Sequence, residues 1–348
     1  MKTSDVIIVG GGVIGLSLAI ELRRSGVSVI VLERHQPGRE ASWAAGGMLV
    51  QSEAELHPLF RALAQASAAM YPQWVQRLQD ASAVHVDLRE QGTIRFLDDD
   101  HVPEPPGEPL SQDDLRKLEP ELTYDAPAVF LAERCVDPRL LVEALIKAAQ
   151  HLEIDIASGA DVTGIELQNG KVVAALTTKA RYATGAIVNC AGAWAGQFGP
   201  VKIPTVPVKG QMLAVTPSVV THVVRGNGVY LIPRSDGRLV VGSTLEDAGF
   251  DKRVDAATIQ RLHQAAAILA PNAGQAKILE DWAGLRPGTP DKLPIMGATS
   301  ISGYYVATGH YRDGILLAPI TAKVMAHAIQ GEKPEFDLAA FSPERFGN

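Results

Sequence analysis

The apolar positions fall into two periods. Residues 5–34 read DVIIVGGGVIGLSLAIELRRSGVSVIVLER. Asp5 to Val9 reads as a fully buried β run, Gly15 to Arg24 has helical spacing, and Gly26 follows as a stop. Val27 to Leu32 is a second buried run, so the stretch predicts a βαβ unit whose parallel strands need helices on their faces. Downstream, Asp137 is the expected N-cap and Pro138 the first residue of a helix reaching about His151. Residues 161–177 predict a hairpin turned at Asn169-Gly170. Ala186 to Asn189 is another buried strand, ending in the small-residue turn CAGAW.

Between 203 and 245 the texture changes to short β runs broken by proline and glycine, as in an antiparallel sheet. ATIQRLHQAAAILAP predicts a helix stopped by Pro271. Residues 282–297, WAGLRPGTPDKLPIMG, read as turn-rich, with Arg286 in them and no acidic residue nearby until Asp291. GYYVATGH predicts a buried strand, and ILLAPITAKVMAHAIQG an apolar helix with Pro319 in its first turn and Gly331 after its end. Together these elements predict an α/β fold: a doubly wound core assembled from both ends and the middle of the chain, with a β-rich insertion.

Composition narrows what such a fold does. The chain has 348 residues, 46% hydrophobic and 20% charged, enough for two domains and a large core. Its formal charge of −7 leaves no basic field for a nucleic acid. The two cysteines, Cys135 and Cys190, stand in no metal-ligand or disulfide spacing, which predicts a cytoplasmic protein without zinc or other metal. The run from Val6 to Ile20 is too short to span a membrane and is interrupted by three consecutive glycines, so no membrane span is expected. The LDDDH run at 97–101 reads as a solvated loop.

The first chemistry lies at the βαβ turn. Gly10, Gly12 and Gly15 form GxGxxG between strand and helix, with Glu33 at the end of the next strand. The glycines serve a tight turn, close approach of a pyrophosphate to the backbone, and tight helix packing; the helix N-terminus offers N–H groups and a positive dipole end. Glu33 is placed to accept from an adenosine ribose hydroxyl, and a carboxylate there repels a 2′-phosphate, although Arg34 stands beside it. EASWAAGGM, residues 40–48, lets a flat ring or phosphate approach the backbone, or else forms a small-residue helix packed in a core. GHYRDGILLAP, residues 309–319, leads a strand into a helix, so N–H groups of His310 to Leu316 either face a negatively charging ligand or simply begin another helix.

In order, the fingerprint, REASWAAGGM, VDPR, AGAW, PVKGQ, VYLIPR, WAGLRPGT and GHYRDGILLAP resemble the FAD-dependent amine oxidases of the D-amino-acid oxidase type, over about Asp5 to Gln330. Within them, WAGLRPGT and GHYRDGILLAP are similar to bacterial glycine oxidases of the thiamine pathway. The resemblance implies a glutathione-reductase type FAD-binding domain (1–84, 136–203 and 281–348) with an inserted substrate domain (85–135 and 204–280). It implies that Arg286 grips a substrate carboxylate, with Arg312 and the Tyr230 hydroxyl beside it. It also implies flavin contacts at Gly10, Gly12, Val13, Ile14, Gly15, Glu33, Arg34, Ala41, Ser42, Gly46, Gly47, Met48, Val162, His310, Tyr311, Arg312, Asp313, Gly314, Ile315 and Leu316.

The implied reaction passes a hydride from the substrate α-carbon to FAD, so no acid/base residue, nucleophile or metal is required. With no cysteine after Cys190, FAD is expected to be non-covalent, and Cys190 an inert buried thiol. The expected substrates are glycine, sarcosine or small D-amino acids with oxygen as acceptor, yielding imine or glyoxylate, ammonia and peroxide for thiazole formation. A D-amino-acid or sarcosine oxidase or dehydrogenase with another acceptor, and a flavin module of a tRNA-modifying enzyme, are the alternatives. Leu245 stands where relatives often carry methionine. A homo-oligomer is expected, and the resemblance implies a tetramer, a frequent form among relatives.

Overall fold

A computed structural model describes residues 2–51, 56–98 and 107–347. The buried runs pair as their composition dictates. Val6–Val9, with no polar residue, is central in a six-stranded sheet whose order is Asp155–Ser158, Val29–Glu33, Val6–Val9, Ala186–Asn189, Tyr304–Thr308 and Ile295–Ala298. Every pairing is parallel except the last, where Ile295–Ala298 runs antiparallel to its neighbour. One face is covered by the helices Val13–Arg24, Arg61–Ser82, Pro138–His151 and Gly314–Ile329, and the other packs against the hairpin Val162–Gln168 and Lys171–Thr177. The hairpin turns at Asn169-Gly170, both with positive φ (50° and 73°), as a two-residue turn requires. This is the doubly wound fold expected, in three layers.

A second, eight-stranded sheet is almost wholly antiparallel. Its long strands Val206–Thr216 and Lys277–Gly288 pair over eleven positions. One face packs on the helix Ala256–Leu269. The other, through Met212, Ile232, Val240 and Trp282, meets Trp43, Ala44 and Met48. Three elements differ from the sequence reading. Trp282 to Gly288 is not turn-rich but the end of a twelve-residue strand, because pairing with Val206–Thr216 holds the backbone extended through its glycines and proline. Pro271 follows the end of Ala256–Leu269 as expected but also opens a short helix, Pro271–Gln275. The helix Arg61–Ser82 had no sequence reading at all. Of the LDDDH run, Leu97 and Asp98 are described; residues 99–101 lie outside the described residues.

Arg61–Ser82 resolves an apparent defect in its neighbour. The helix Gly314–Ile329 begins early enough to put Pro319 in its second turn rather than its first, and proline has no N–H for the Ile315 carbonyl. The Tyr71 hydroxyl donates to that carbonyl instead, and Ser67 Oγ donates to the Leu316 carbonyl at 2.6 Å.

A buried cation ties the eight-stranded sheet to the segments around Gly46 and Val136. Arg234, at the end of Val229–Pro233, donates from Nη2 to the Gly46 carbonyl (2.6 Å) and from Nη1 to the Val136 carbonyl (3.1 Å). Its Nε lies 3.8 Å from Asp137, whose other carboxylate oxygen caps Pro138–His151 through the N–H groups of Arg139 and Leu140.

Tyr71→Phe is expected to lower stability by about 1–3 kcal/mol, the cost of leaving a buried carbonyl without a donor. Denaturant midpoints of the flavin-loaded protein check this, with a control. In a Pro319→Ala background, where residue 319 regains an N–H, the same change should cost clearly less.

Candidate active site

The turn after Val6–Val9 is built of backbone. Gly10 has φ +110°, and a Cβ there would stand 2.4 Å from the Cys190 carbonyl oxygen. A Cβ on Gly15 would stand 2.0 Å from the Gly10 oxygen. Both positions therefore admit only glycine. Gly12 is the N-cap of Val13–Arg24 and supplies no side chain to the first turn; Val13 N–H donates to Ser42 Oγ at 2.9 Å. The positive end of the helix opens onto a cavity of about 470 Å3.

Glu33 sits at the rim with both oxygens placed. Oε2 accepts from Gly11 N–H and Oε1 from His35 N–H, each at 2.8 Å, and each oxygen keeps a lone pair for a further donor. Arg34 lays its guanidinium 4.5 Å above the Trp194 ring centre. Trp194 is in turn met by Phe250 at 5.4 Å between centroids, and Lys252 pairs with Glu40 at 2.9 Å. The segment 245–253 of the antiparallel part thus crosses to two residues of the cavity wall, Trp194 and Glu40.

At the other end the wall is Leu285 and Pro287 from the strand Lys277–Gly288, with Thr308, His310, Arg312, Gly314 and Ile315. Tyr311 N–H donates to the Pro287 carbonyl at 3.0 Å, so the GHYRDG loop is tied to the strand that carries Arg286. His310 is buried, which pushes its pKa down to about 3 and keeps the ring neutral; Nε2 lies 3.1 Å from Thr321 Oγ1. Burial also raises the Cys190 thiol well above its usual range, so it faces the cavity as an inert group.

Arg286 does not line this cavity. It lies with Trp282 and Gly284 on the sheet face turned toward Gly46, where Tyr230 also stands. Its Nη1 donates to the Thr244 carbonyl (3.1 Å) and its Nη2 to Ser243 Oγ (2.6 Å). The guanidinium covers Gly210, where a Cβ would be 2.3 Å from Nη1. Among the described residues no carboxylate pairs with Arg286, although it is half-buried. Tyr230 Oη lies 3.9 Å from Met212 Sδ, and its ring stands beside Gly46, 3.5 Å from where a Cβ would be. Arg312 is exposed, lines the cavity, and has no hydrogen bond or ion pair among the described residues.

Residues 5–328 match the family model DAO, described as FAD dependent oxidoreductase. The chain belongs to this family. A glycine oxidase of Pseudomonas aeruginosa is 32% identical over 97% of this chain and 98% of its own. A crystal structure of glycine oxidase from Geobacillus kaustophilus superposes with a TM-score of 0.93 at 31% identity, covering 99% of both chains. Bifunctional ThiO/ThiG proteins, such as that of Synechocystis at 36% identity, match 99% of this chain, which spans only about half of their length (54%).

As a DAO-family protein the chain takes FAD, and its cradle fits that group. The glycine turn leaves no room for a side chain where a pyrophosphate would pass, a helix N-terminus faces it, and Glu33 keeps acceptor capacity for a ribose diol. Of the flavin contacts expected from sequence, the cavity wall contains Gly10, Gly12, Val13, Ile14, Glu33, Arg34, Ala41, Ser42, Val162, His310, Arg312, Gly314 and Ile315. Gly15 sits behind the turn, Tyr311, Asp313 and Leu316 belong to the far loop and the helix start it leads into, Gly46 and Met48 border the face bearing Tyr230, and Gly47 packs against the Val136 carbonyl and Pro138. Sequence reasoning missed Trp194, Leu285 and Pro287 as wall residues, although AGAW and WAGLRPGT contain them. The aromatic after the small-residue turn and the alternation around Arg286 were the available signals. Among the described residues no group of acids, histidines and cysteines is arranged for a metal, and no helix is long and apolar enough to cross a membrane.

Gly10→Ala is expected to yield protein that purifies without visible flavin absorbance, since the Cβ and the Cys190 carbonyl cannot both keep their places. For His310 the sign of the pH effect follows from its folded pKa of about 3 against about 6.5 unfolded. The stability gained by keeping the ring neutral is complete above about pH 6.5 and is lost as pH falls toward 3, by up to about 1.4 kcal/mol per pH unit. Denaturant midpoints between pH 7 and 4 should fall less steeply in His310→Gln than in wild type.

Proposed function

We propose that this protein oxidises glycine and related small amines, sarcosine and small D-amino acids among them, to the imine, which water converts to glyoxylate (or the corresponding oxo acid) and ammonia in the case of the primary amines. The observation that carries this is Arg286: a half-buried guanidinium with no carboxylate partner among the described residues, on one sheet face with Tyr230 and tied through Pro287 to the loop bearing Arg312. An arginine fork matches a carboxylate in two parallel hydrogen bonds and so fixes the α-carbon. FAD, when bound, would supply the redox chemistry as acceptor of the α-carbon hydride, with oxygen as the final acceptor giving hydrogen peroxide.

The chain's own part is positional. Arg286 holds the carboxylate, the Tyr230 hydroxyl offers a further hydrogen bond, and Arg312 adds positive charge at the loop edge. A substrate placed this way needs no side chain to act as nucleophile. FAD is held non-covalently in this reading by the glycine turn, Glu33 and the His310 to Leu316 loop, with 1–84, 136–203 and 281–348 as its domain and 85–135 and 204–280 as the substrate domain. Similarity to glycine oxidases supports the substrate, and similarity to the ThiO part of bifunctional proteins supports a role in thiazole formation for thiamine. A cytoplasmic homo-oligomer is the form we propose; the buried, unpaired Cys135 and Cys190 are compatible with a reducing compartment.

Peroxide release in air with glycine, sarcosine, D-alanine and D-proline, alongside anaerobic bleaching of the flavin, tests the reading. Glycine among the preferred substrates, with peroxide formed, is the expected result; bleaching without peroxide would move the acceptor away from oxygen. Arg286→Ala should lower kcat/KM for glycine by about tenfold to 150-fold, the equivalent of one charge-assisted hydrogen bond of about 1.5–3 kcal/mol. Unaltered kinetics in that variant would remove Arg286 from the site.

A further inference from the structure

The two acceptors that hold Arg286 differ in kind. The Thr244 carbonyl can only accept, whereas Ser243 Oγ accepts from Nη2 at 2.6 Å and still carries a proton of its own. That hydroxyl makes no other hydrogen bond among the described residues, and it is half-buried. Three of the five guanidinium N–H groups are likewise unspent. A hydroxyl proton and several guanidinium protons therefore stand within one hydrogen-bond length of each other with no protein acceptor between them.

Ser243 is also held in place. Thr244 Oγ1 accepts from Gln211 N–H at 2.9 Å and donates to the Glu246 carboxylate. Gln211 Nε2 donates to Glu246 at 2.8 Å, and buried Lys209 reaches Glu246 at 3.6 Å and the Arg253 carbonyl at 2.6 Å. Burial works against the Glu246 charge, but the Thr244, Gln211 and Lys209 contacts outweigh it and leave the carboxyl below its ordinary range. The PVKGQ stretch thus has a purpose on both faces: Gly210 makes room for the Arg286 guanidinium, while Lys209 and Gln211 pin the segment that carries Ser243.

We propose that Ser243 is a second contact for the substrate carboxylate, its hydroxyl accepting from Arg286 and donating to the carboxylate oxygen that Arg286 grips. The proposal rests on the reading of Arg286 as the carboxylate-binding residue. Such a contact is present in the bound substrate and throughout the reaction, so it belongs to binding and selects for an anion with two oxygens rather than accelerating the oxidation step.

The test uses the flavin-loaded protein, titrated with acetate and glycolate while the flavin absorbance is followed, for wild type, Ser243→Ala and Ser243→Thr, with glycine kinetics in parallel. Ser243→Ala is expected to weaken acetate by about tenfold and to raise KM for glycine more than it lowers kcat; Ser243→Thr, which keeps the hydroxyl, should stay within about threefold of wild type. Equal acetate affinity in wild type and Ser243→Ala overturns the proposal and leaves Arg286 untouched. No spectral response to acetate in wild type removes the carboxylate site itself. Loss of acetate binding in Ser243→Ala together with a matching loss of FAD affinity and thermal stability reduces Ser243 to a structural role and overturns the proposal as well.

Discussion

Arg234 is the constraint on which the site's geometry depends. A guanidinium with almost no solvent must be met on every side, and here the partners are two backbone carbonyls and a carboxylate that belong to different parts of the chain. Breaking such a set by removing one member is costly, because the others are left buried and unpaired. The Gly46 carbonyl is thereby held at a fixed height above the sheet face that bears Tyr230, and the start of Pro138–His151 is held to the same point through Asp137. Around it, Arg139 lies 3.6 Å from the Trp43 ring centre and 4.6 Å from that of Trp282, and pairs with Glu280 at 2.6 Å. Cations and indoles here do the work that interdigitated aliphatics do inside each layer.

The electrostatic design separates two kinds of group. His310 is kept neutral by burial beside the cavity, so the far loop adds no titrating charge near neutral pH. The positive charge that a carboxylate would meet comes from arginines, which stay charged at every relevant pH. Charge at the site is therefore constant across the physiological range.

What was legible in the sequence was local. The glycine turn, its strands, the Asn169-Gly170 hairpin and the capped helix at Pro138 each depend on a few neighbouring residues, and each stands where the pattern put it. Arg286 illustrates the limit: its residues punctuate like a loop, and only the long-range pairing of Trp282 to Gly288 with Val206 to Met212 makes them a strand. Arg61–Ser82 was missed for a related reason, since its buried face includes Ser67 and Tyr71, whose value lies in donating to a helix nearly 250 residues away. The candidate site was legible as motifs but not as faces. Alternation along the strand sends Leu285 and Pro287 to the cavity and Arg286 to Tyr230, and Trp194 joins the wall through a turn no period announces.

The crowding at Gly10 has a consequence in time. The fingerprint leaves the ribosome long before residue 190, yet the atom that closes its turn is the carbonyl of Cys190, and the strand Ala186–Asn189 must dock beside Val6–Val9 before that carbonyl is in place. Closure of the far wall waits longer, for the loop at His310. A nascent chain that has already exposed its glycines therefore has no finished nucleotide cradle until synthesis has passed His310, and the cofactor enters after that point in folding rather than as its seed.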